Sequence, residues 1–164
     1  MRTIWHNPVI PDNQSQLVRG HPMADMPLTG YRALDLTSLY MGPFCTRMLA
    51  DYGADVIKVE PISGDSARDQ GPFFHDERHP EKSGLFLHLN VNKRSITTNI
   101  ETAQGQKIIR ELAKSSDIVV ESFKPGYLAG LGLGYDDLVK INPKIIQTLL
   151  ASFNPKVTSF WLFS

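Results

Sequence analysis

Regular alternation of apolar and polar residues begins at Tyr31. Tyr31–Leu36 alternates and ends in the turn-prone pair Thr37-Ser38, which predicts a buried strand. Pro43 follows at a position suited to the first turn of a helix, where its missing N–H costs nothing. Met48, Leu49 and Tyr52 then recur at helical spacing, and Gly53 supplies a left-handed C-cap. Asp55–Glu60 (DVIKVE) is a second β-branched run, stopped by Pro61 and Gly64. Strand, helix and strand in so short a stretch predict a βαβ unit with parallel strands and a right-handed crossover. Such units place ligands beyond the carboxyl ends of their strands. The loop Thr37–Gly42 and the segment after Glu60 are therefore the first places to look for function.

The pattern then loosens. Residues 61–84 form a polar stretch punctuated by Pro61, Gly64, Gly71, Pro72 and Pro80, and a loop of that length is usually functional or disordered. Leu85–Leu89 fits a short helix or strand, and Ser95–Asn99 a third strand. Glu101 or Thr102 opens a helix with Ile108, Ile109 and Leu112 as its buried stripe. Asp117–Phe123 is a fourth strand, apolar enough to be covered on both faces, and Pro125-Gly126 breaks it. Gly130, Gly132 and Gly134 mark a tight passage before a short helix, Tyr135–Ile141, and a fifth strand, Lys144–Leu150. Strands alternating with helices predict an α/β fold: an open, mainly parallel Rossmann-like sheet with flanking helices.

The two ends lack this order. Residues 1–26 are rich in Pro, Asn and Gln and are expected to form a mobile extension, with Met23 and Met26 as alternative starts. Residues 27–153 hold the patterned domain. Residues 154–164 diverge from it, and Phe160, Trp161, Leu162 and Phe163 would leave an apolar cluster at the chain end. That tail reads either as a docked strand or as the mark of a truncated or frameshifted product, with the sheet stopping midway.

Composition narrows the picture. At 164 residues, 41% hydrophobic and 21% charged, the chain suits one globular domain with a real core. Its formal net charge of zero argues against a general nucleic-acid binder. A single cysteine, Cys45, excludes an intrachain disulfide and suits a reducing compartment. No apolar run approaches the roughly 20 residues that span a bilayer, and Asn7, Pro8, Pro11, Asp12 and Asn13 interrupt any signal-peptide core. A cytoplasmic location is expected.

Candidate chemistry is sparse. Glu60 ends the second strand 18 positions after Gly42, near where a ribose-binding carboxylate would sit. The fingerprint G-x-G-x-x-G is absent, however, and Tyr40 and Met41 would crowd a pyrophosphate. His75 and His79 stand four apart with carboxylates between them, but Pro72 and Pro80 bracket the pair, so a solvated loop is favoured over zinc. Lys93, Arg94, Arg68 and Lys124 supply cations that would suit phosphates, or simply a solvated strand entry. Cys45 has no visible histidine partner and reads as a small buried hydrophobe.

Several motifs stand in a definite order: PLTGYRALDLTSLYMGPFCTRMLADYGADVIKVEP, GD-x-x-R at Gly64–Arg68, NKRSIT at Asn92–Thr97, DIVVESFKPG at Asp117–Gly126, and LGLGYDDLVKINPKII at Leu131–Ile146. From about Pro27 to Phe153, this order and spacing resemble the class III coenzyme A transferases, the group containing formyl-CoA and crotonobetainyl-CoA transferases. The resemblance implies an enzyme that moves CoA between carboxylic acids, with a carboxylate attacking the acyl-CoA thioester to form covalent intermediates. It further implies a Rossmann-like large domain, an interlocked homodimer, acyl-CoA and a carboxylic acid as partners, and no metal, nucleic acid or membrane. The CoA-contacting positions it implies are Tyr40 and Met41 on the first loop, Thr98, Asn99, Ile100 and Glu101 after the third strand, and Ser122, Phe123 and Lys124 after the fourth.

The departures are specific. Pro61 and Gly130 stand where relatives place arginines, and Ser122 replaces the asparagine of an E-N-F motif. After the fifth strand the family continues S-G-F-G towards its nucleophilic aspartate, whereas this chain reads Ala151-Ser152-Phe153-Asn154-Pro155. No catalytic residue is therefore assigned, and an incomplete, inactive fragment retaining part of the CoA site is expected. The alternatives are a fragment resembling alpha-methylacyl-CoA racemases, a non-catalytic binding or assembly module, and a dinucleotide-dependent oxidoreductase.

Overall fold

The computed structural model describes residues 26–150. The extension expected over residues 1–26, Met26 apart, and the divergent tail 154–164 lie outside the described residues. The strands are β1 (Arg32–Leu36), β2 (Asp55–Glu60), β3 (Lys93–Thr97), β4 (Ile118–Glu121) and β5 (Ile146–Leu149). They form one sheet in the order β3-β2-β1-β4-β5, and every pairing is parallel. The chain winds outward from β1 to the edge strand β3, then returns to lay β4 on the other side of β1. That reversal opens a crevice between the loops that follow β1 and β4.

Among the described residues, five helices flank the sheet: α1 (Met41–Asp51), α2 (Gly84–Asn90), α3 (Ala103–Lys114), α4 (Tyr127–Gly130) and α5 (Tyr135–Ile141). Because successive strand residues point to opposite faces, Leu34, Leu36, Ile57, Val59 and Val119 share one face. They pack against Ile109 and Ala113 of α3, Leu128 of α4 and Leu138 of α5. The opposite face is thinner, with Ala33 and Val56 meeting Ala50 and Ala54. No helix among the described residues is long and apolar enough to cross a membrane.

Several elements depart from the sequence pattern. In α1 the core side is Gly42, Pro43, Thr46 and Ala50, while Met48 and Tyr52 face outward with Tyr40, Met41 and Phe44. The sheet beneath carries long buried polar side chains, so only small helix residues fit over it. Cys45 is half-buried on that helix. Leu85–Leu89 is helical because Ser83 caps α2, its hydroxyl accepting from the Phe86 N–H at 3.1 Å. Strand β3 begins two residues earlier than the β-branched run suggests and ends at Thr97, so Thr98 and Asn99 belong to the following loop. The polar stretch after β2 contains two short 3₁₀ turns, Ser66–Asp69 and Phe74–Asp76. Helix α3 starts where expected, with the Thr102 hydroxyl accepting from the Gly105 N–H at 3.0 Å. Its buried residues are Gly105, Ile109 and Ala113, whereas Ile108 and Leu112 are only half-buried.

Candidate functional site: the carboxyl end of the sheet

The thin face of the sheet changes character towards its carboxyl end. Register places Asp35 of β1 beside Lys58 of β2, and Lys58 beside Ser95 of β3. The Asp35 carboxylate accepts from the Thr37 N–H at 3.0 Å, the Thr46 hydroxyl at 2.6 Å and the Lys93 Nζ at 3.0 Å. Lys93 also donates to the Pro43 carbonyl at 2.8 Å and the Asn90 Oδ1 at 2.9 Å. Lys58 pairs with Asp65 at 2.7 Å, and both side chains are 1% exposed. Burial works to raise the Asp35 pKa, but Lys58, Lys93 and the two threonine hydroxyls outweigh it and hold the carboxyl below its ordinary value.

Glu60 closes this row. It accepts from Arg68 at 2.6 and 2.9 Å, from the Ser95 hydroxyl at 2.6 Å and from the Asp65 N–H at 3.0 Å. Burial opposes ionisation, but these donors win and set its pKa at about 2. The Arg68 guanidinium also stacks on the Phe86 ring, 3.6 Å from its centroid. With both oxygens committed inside the protein, Glu60 does not present a free carboxylate to a ribose. The cation cluster is likewise consumed: Lys93 pairs with Asp35, Arg94 with Asp55 and Arg68 with Glu60. Of the four cations singled out, Arg94 and Lys124 are exposed, and Lys124 alone has no carboxylate partner among the described residues.

The nine positions singled out from sequence all lie in loops or helix starts at the carboxyl end of the sheet. Tyr40 and Met41 open α1 and are exposed. Thr98 follows β3, is buried, and donates its N–H to the Glu60 carbonyl at 3.0 Å. Asn99 caps the next turn through its Oδ1, which accepts from the Glu101 N–H at 2.9 Å, while Ile100 packs against the core. Ser122, Phe123 and Lys124 follow β4. Two contacts draw these segments together. The Ser38 N–H donates to the Ser122 hydroxyl at 3.2 Å, joining the loops after β1 and β4. The Tyr127 hydroxyl donates to Glu101 at 2.9 Å while its ring lies 4.9 Å from that of Phe123, joining the loops after β3 and β4.

Beside these loops lies a cavity of about 250 Å³, lined by Glu121, Gly126, Leu128, Gly134, Tyr135 and Gln147 among others. Burial pushes the Glu121 carboxyl above its ordinary value, eased by the Gln147 amide that donates to it at 2.7 Å. On the 61–84 loop, His75 and His79 are exposed, and no group of three metal-ligating side chains occurs among the described residues.

Comparison with known proteins fixes the family. The model of CoA-transferase family III matches residues 28–156. The chain belongs to CoA-transferase family III. It is 45% identical over 139 residues to the succinyl-CoA:glutarate CoA-transferase of Homo sapiens, covering 82% of this chain and 31% of that protein. It is 43% identical over 129 residues to the formyl-CoA:oxalate CoA-transferase of Afipia carboxidovorans, covering 78% of this chain and 30% of that protein. A crystal structure of a hypothetical protein from Mycobacterium tuberculosis superposes with a TM-score of 0.70 at 38% identity, over 79% of this chain and 34% of that one. The chain thus spans about a third of the length of the relatives it matches.

Within this family III chain, the GD-x-x-R motif has a physical role. Gly64 turns the backbone, Asp65 caps the following 3₁₀ turn by accepting from the Ala67 N–H at 2.9 Å, and Arg68 reaches back to Glu60. The motif ties the segment after β2 to the sheet. The sequence pattern marks Gly64 as a strand stop, Arg68 as a candidate phosphate cation and Gly64–Arg68 as a family signature. It does not show Arg68 returning to Glu60, or Asp35, Lys58 and Lys93 as a connected group. Lys58 and Glu60 alternating with Val59 in DVIKVE was the available signal, because that period places both charges on one face.

Proposed function

We propose that this chain carries the CoA-binding half of a family III CoA-transferase, and that the intact enzyme moves CoA from an acyl-CoA thioester to a carboxylic acid. The observation that carries this reading is the convergence of the loops after β1, β3 and β4, where Ser38 meets Ser122 and Tyr127 meets Glu101. A crevice of this kind offers backbone N–H and carbonyl groups from three strand-end loops, which hold a nucleotide without strict side-chain identity. Tyr40, Met41, Phe123 and Ile100 supply apolar surface for the adenine and the pantetheine arm, and Thr98, Asn99, Glu101 and Ser122 supply polar contacts. Lys124 is the cation assigned to a phosphate.

The acid that attacks the thioester is not Asp35, Glu60 or Asp65. A nucleophilic carboxylate needs a free oxygen facing substrate, and these three spend theirs on Lys93, Arg68 and Lys58. We assign the nucleophile to the part of the family sequence that follows β5. The two named relatives act on glutarate and oxalate with CoA thioesters, which supports a carboxylic acid as acceptor.

Isothermal titration of the 164-residue chain with CoA and, separately, with NAD tests the proposal. CoA is expected to bind and NAD is not. Binding of NAD alone would return the oxidoreductase reading, and binding of neither would leave the module reading.

A further inference from the structure

We propose that Lys58 and Asp65 are positioning residues that set the shape of the loop Thr37–Tyr40 from beneath, so that Tyr40 and Met41 meet the ligand in one fixed conformation. The inference deepens the CoA-binding reading and rests on it. The two side chains form a buried pair at 2.7 Å, and each also holds one backbone group of that loop. Lys58 donates to the Thr37 carbonyl at 3.0 Å. Asp65 accepts from the Leu39 N–H at 3.1 Å through the oxygen that also caps Ala67. Between these two anchors sits Ser38, whose own N–H reaches across to Ser122. Three consecutive residues are thus each held by a different element.

The loop needs such holding. Leu39 has φ of 70°, in the left-handed region that a leucine adopts only when its surroundings impose it. That geometry turns the chain sharply before α1 and leaves Tyr40 49% and Met41 63% exposed at the crevice. Asp65 is itself oriented by its N–H bond to Glu60 at 3.0 Å, so the restraint traces back to the end of β2. A buried charge pair is not a cheap way to fill space, because apolar residues of similar volume are often as stabilising. What such residues cannot supply is a donor for Thr37 and an acceptor for Leu39.

The test compares the wild-type chain with two double variants, reading Leu39 amide hydrogen exchange, CoA affinity by titration, and the melting temperature. Lys58→Met/Asp65→Leu replaces the pair with apolar residues and removes both anchors. Lys58→Met/Asp65→Asn restores only the acceptor for the Leu39 N–H. In the first variant, Leu39 exchange is expected to accelerate by about tenfold or more, with CoA binding weakened about tenfold. The second variant is expected to recover the Leu39 protection and only part of the affinity, the remaining deficit reporting the lost Lys58 bond to the Thr37 carbonyl. Unchanged Leu39 exchange in the first variant, or no recovery in the second, overturns the proposal. Should the apolar pair fail to fold, Asp65→Glu is read instead: it keeps the charge pair but moves the acceptor, so Leu39 exchange must still accelerate, and an unchanged rate overturns the proposal. If exchange behaves as expected while the wild-type chain binds no CoA, the restraint stands and the CoA reading falls. If CoA binds and Leu39 exchange is indifferent to every variant, the reverse holds.

Discussion

Glu60 shows how much a single side chain carries here. Four donors converge on its two oxygens, and its pKa falls from 4.5 to about 2. A carboxyl whose folded value lies below its unfolded value adds stability that is complete above about pH 4.5. That stability drains away as the pH falls through about 2. The gap corresponds to roughly 3 kcal/mol at most. Urea unfolding at neutral pH and at about pH 2 should therefore show a larger acid-induced loss for the wild type than for Glu60→Gln, by an amount approaching that figure. Equal losses would mean that Glu60 is not held ionised by Arg68 and Ser95. Position 60 also shows where a residue-level sequence reading reaches its limit. An acid at the end of the second strand suggests ribose recognition, but Arg68, eight positions along, folds back to claim it.

At the scale of elements, α3 ties the core to the candidate site. Its first turn carries Gly105, and a Cβ built there would collide with the carbonyl of Asn99, the second residue of the loop after β3. Alanine at an unobstructed helix position would add up to about 1 kcal/mol of helix propensity. Here Gly105→Ala should instead destabilise by about 1–3 kcal/mol, the usual cost of overpacking. The loop Asn99–Glu101 has to move to make room, so CoA affinity should fall with the melting temperature. A variant with unchanged melting and unchanged affinity would show that helix and loop are not in contact. Helix α1 carries a related lesson. Helical spacing correctly announced the element, but the large apolar residues Met48 and Tyr52 lie outward and the small ones lie inward. Hydrophobicity predicts which residues prefer burial, whereas the space above Lys58 and Lys93 decides which ones fit.

For the molecule as a whole, the two sheet edges differ. Strand β3 presents the exposed Arg94 and Ser95, with Lys93 turned inward onto Asp35, a charged edge of the kind that resists pairing with another chain. Strand β5 pairs only with β4 among the described residues and leaves Ile146 59% and Leu149 40% exposed. An apolar edge of this kind invites a further strand. Ile146→Lys should reduce concentration-dependent self-association of the purified chain in light scattering, with little change in melting because the site is solvent-facing. Association indifferent to that substitution would point to the outward face of α1.

The sequence by itself determined the α/β class, the five strands and most of the helices between them, the family, and the three loops at the carboxyl ends of the strands, because period, turn residues and motif spacing are local properties. It left Leu85–Leu89 open between helix and strand and did not announce α4. Tertiary structure decided the strand order that opens the crevice between β1 and β4, and the partners of every buried charge. Asp35 meets Lys93 across 58 residues of chain, and Ser38 meets Ser122 across 84. Contacts that distant depend on how the strands are shuffled in the sheet, and no local pattern encodes that. Burial then made those charges matter, because a charge taken out of water has to find its counterpart or forfeit the fold.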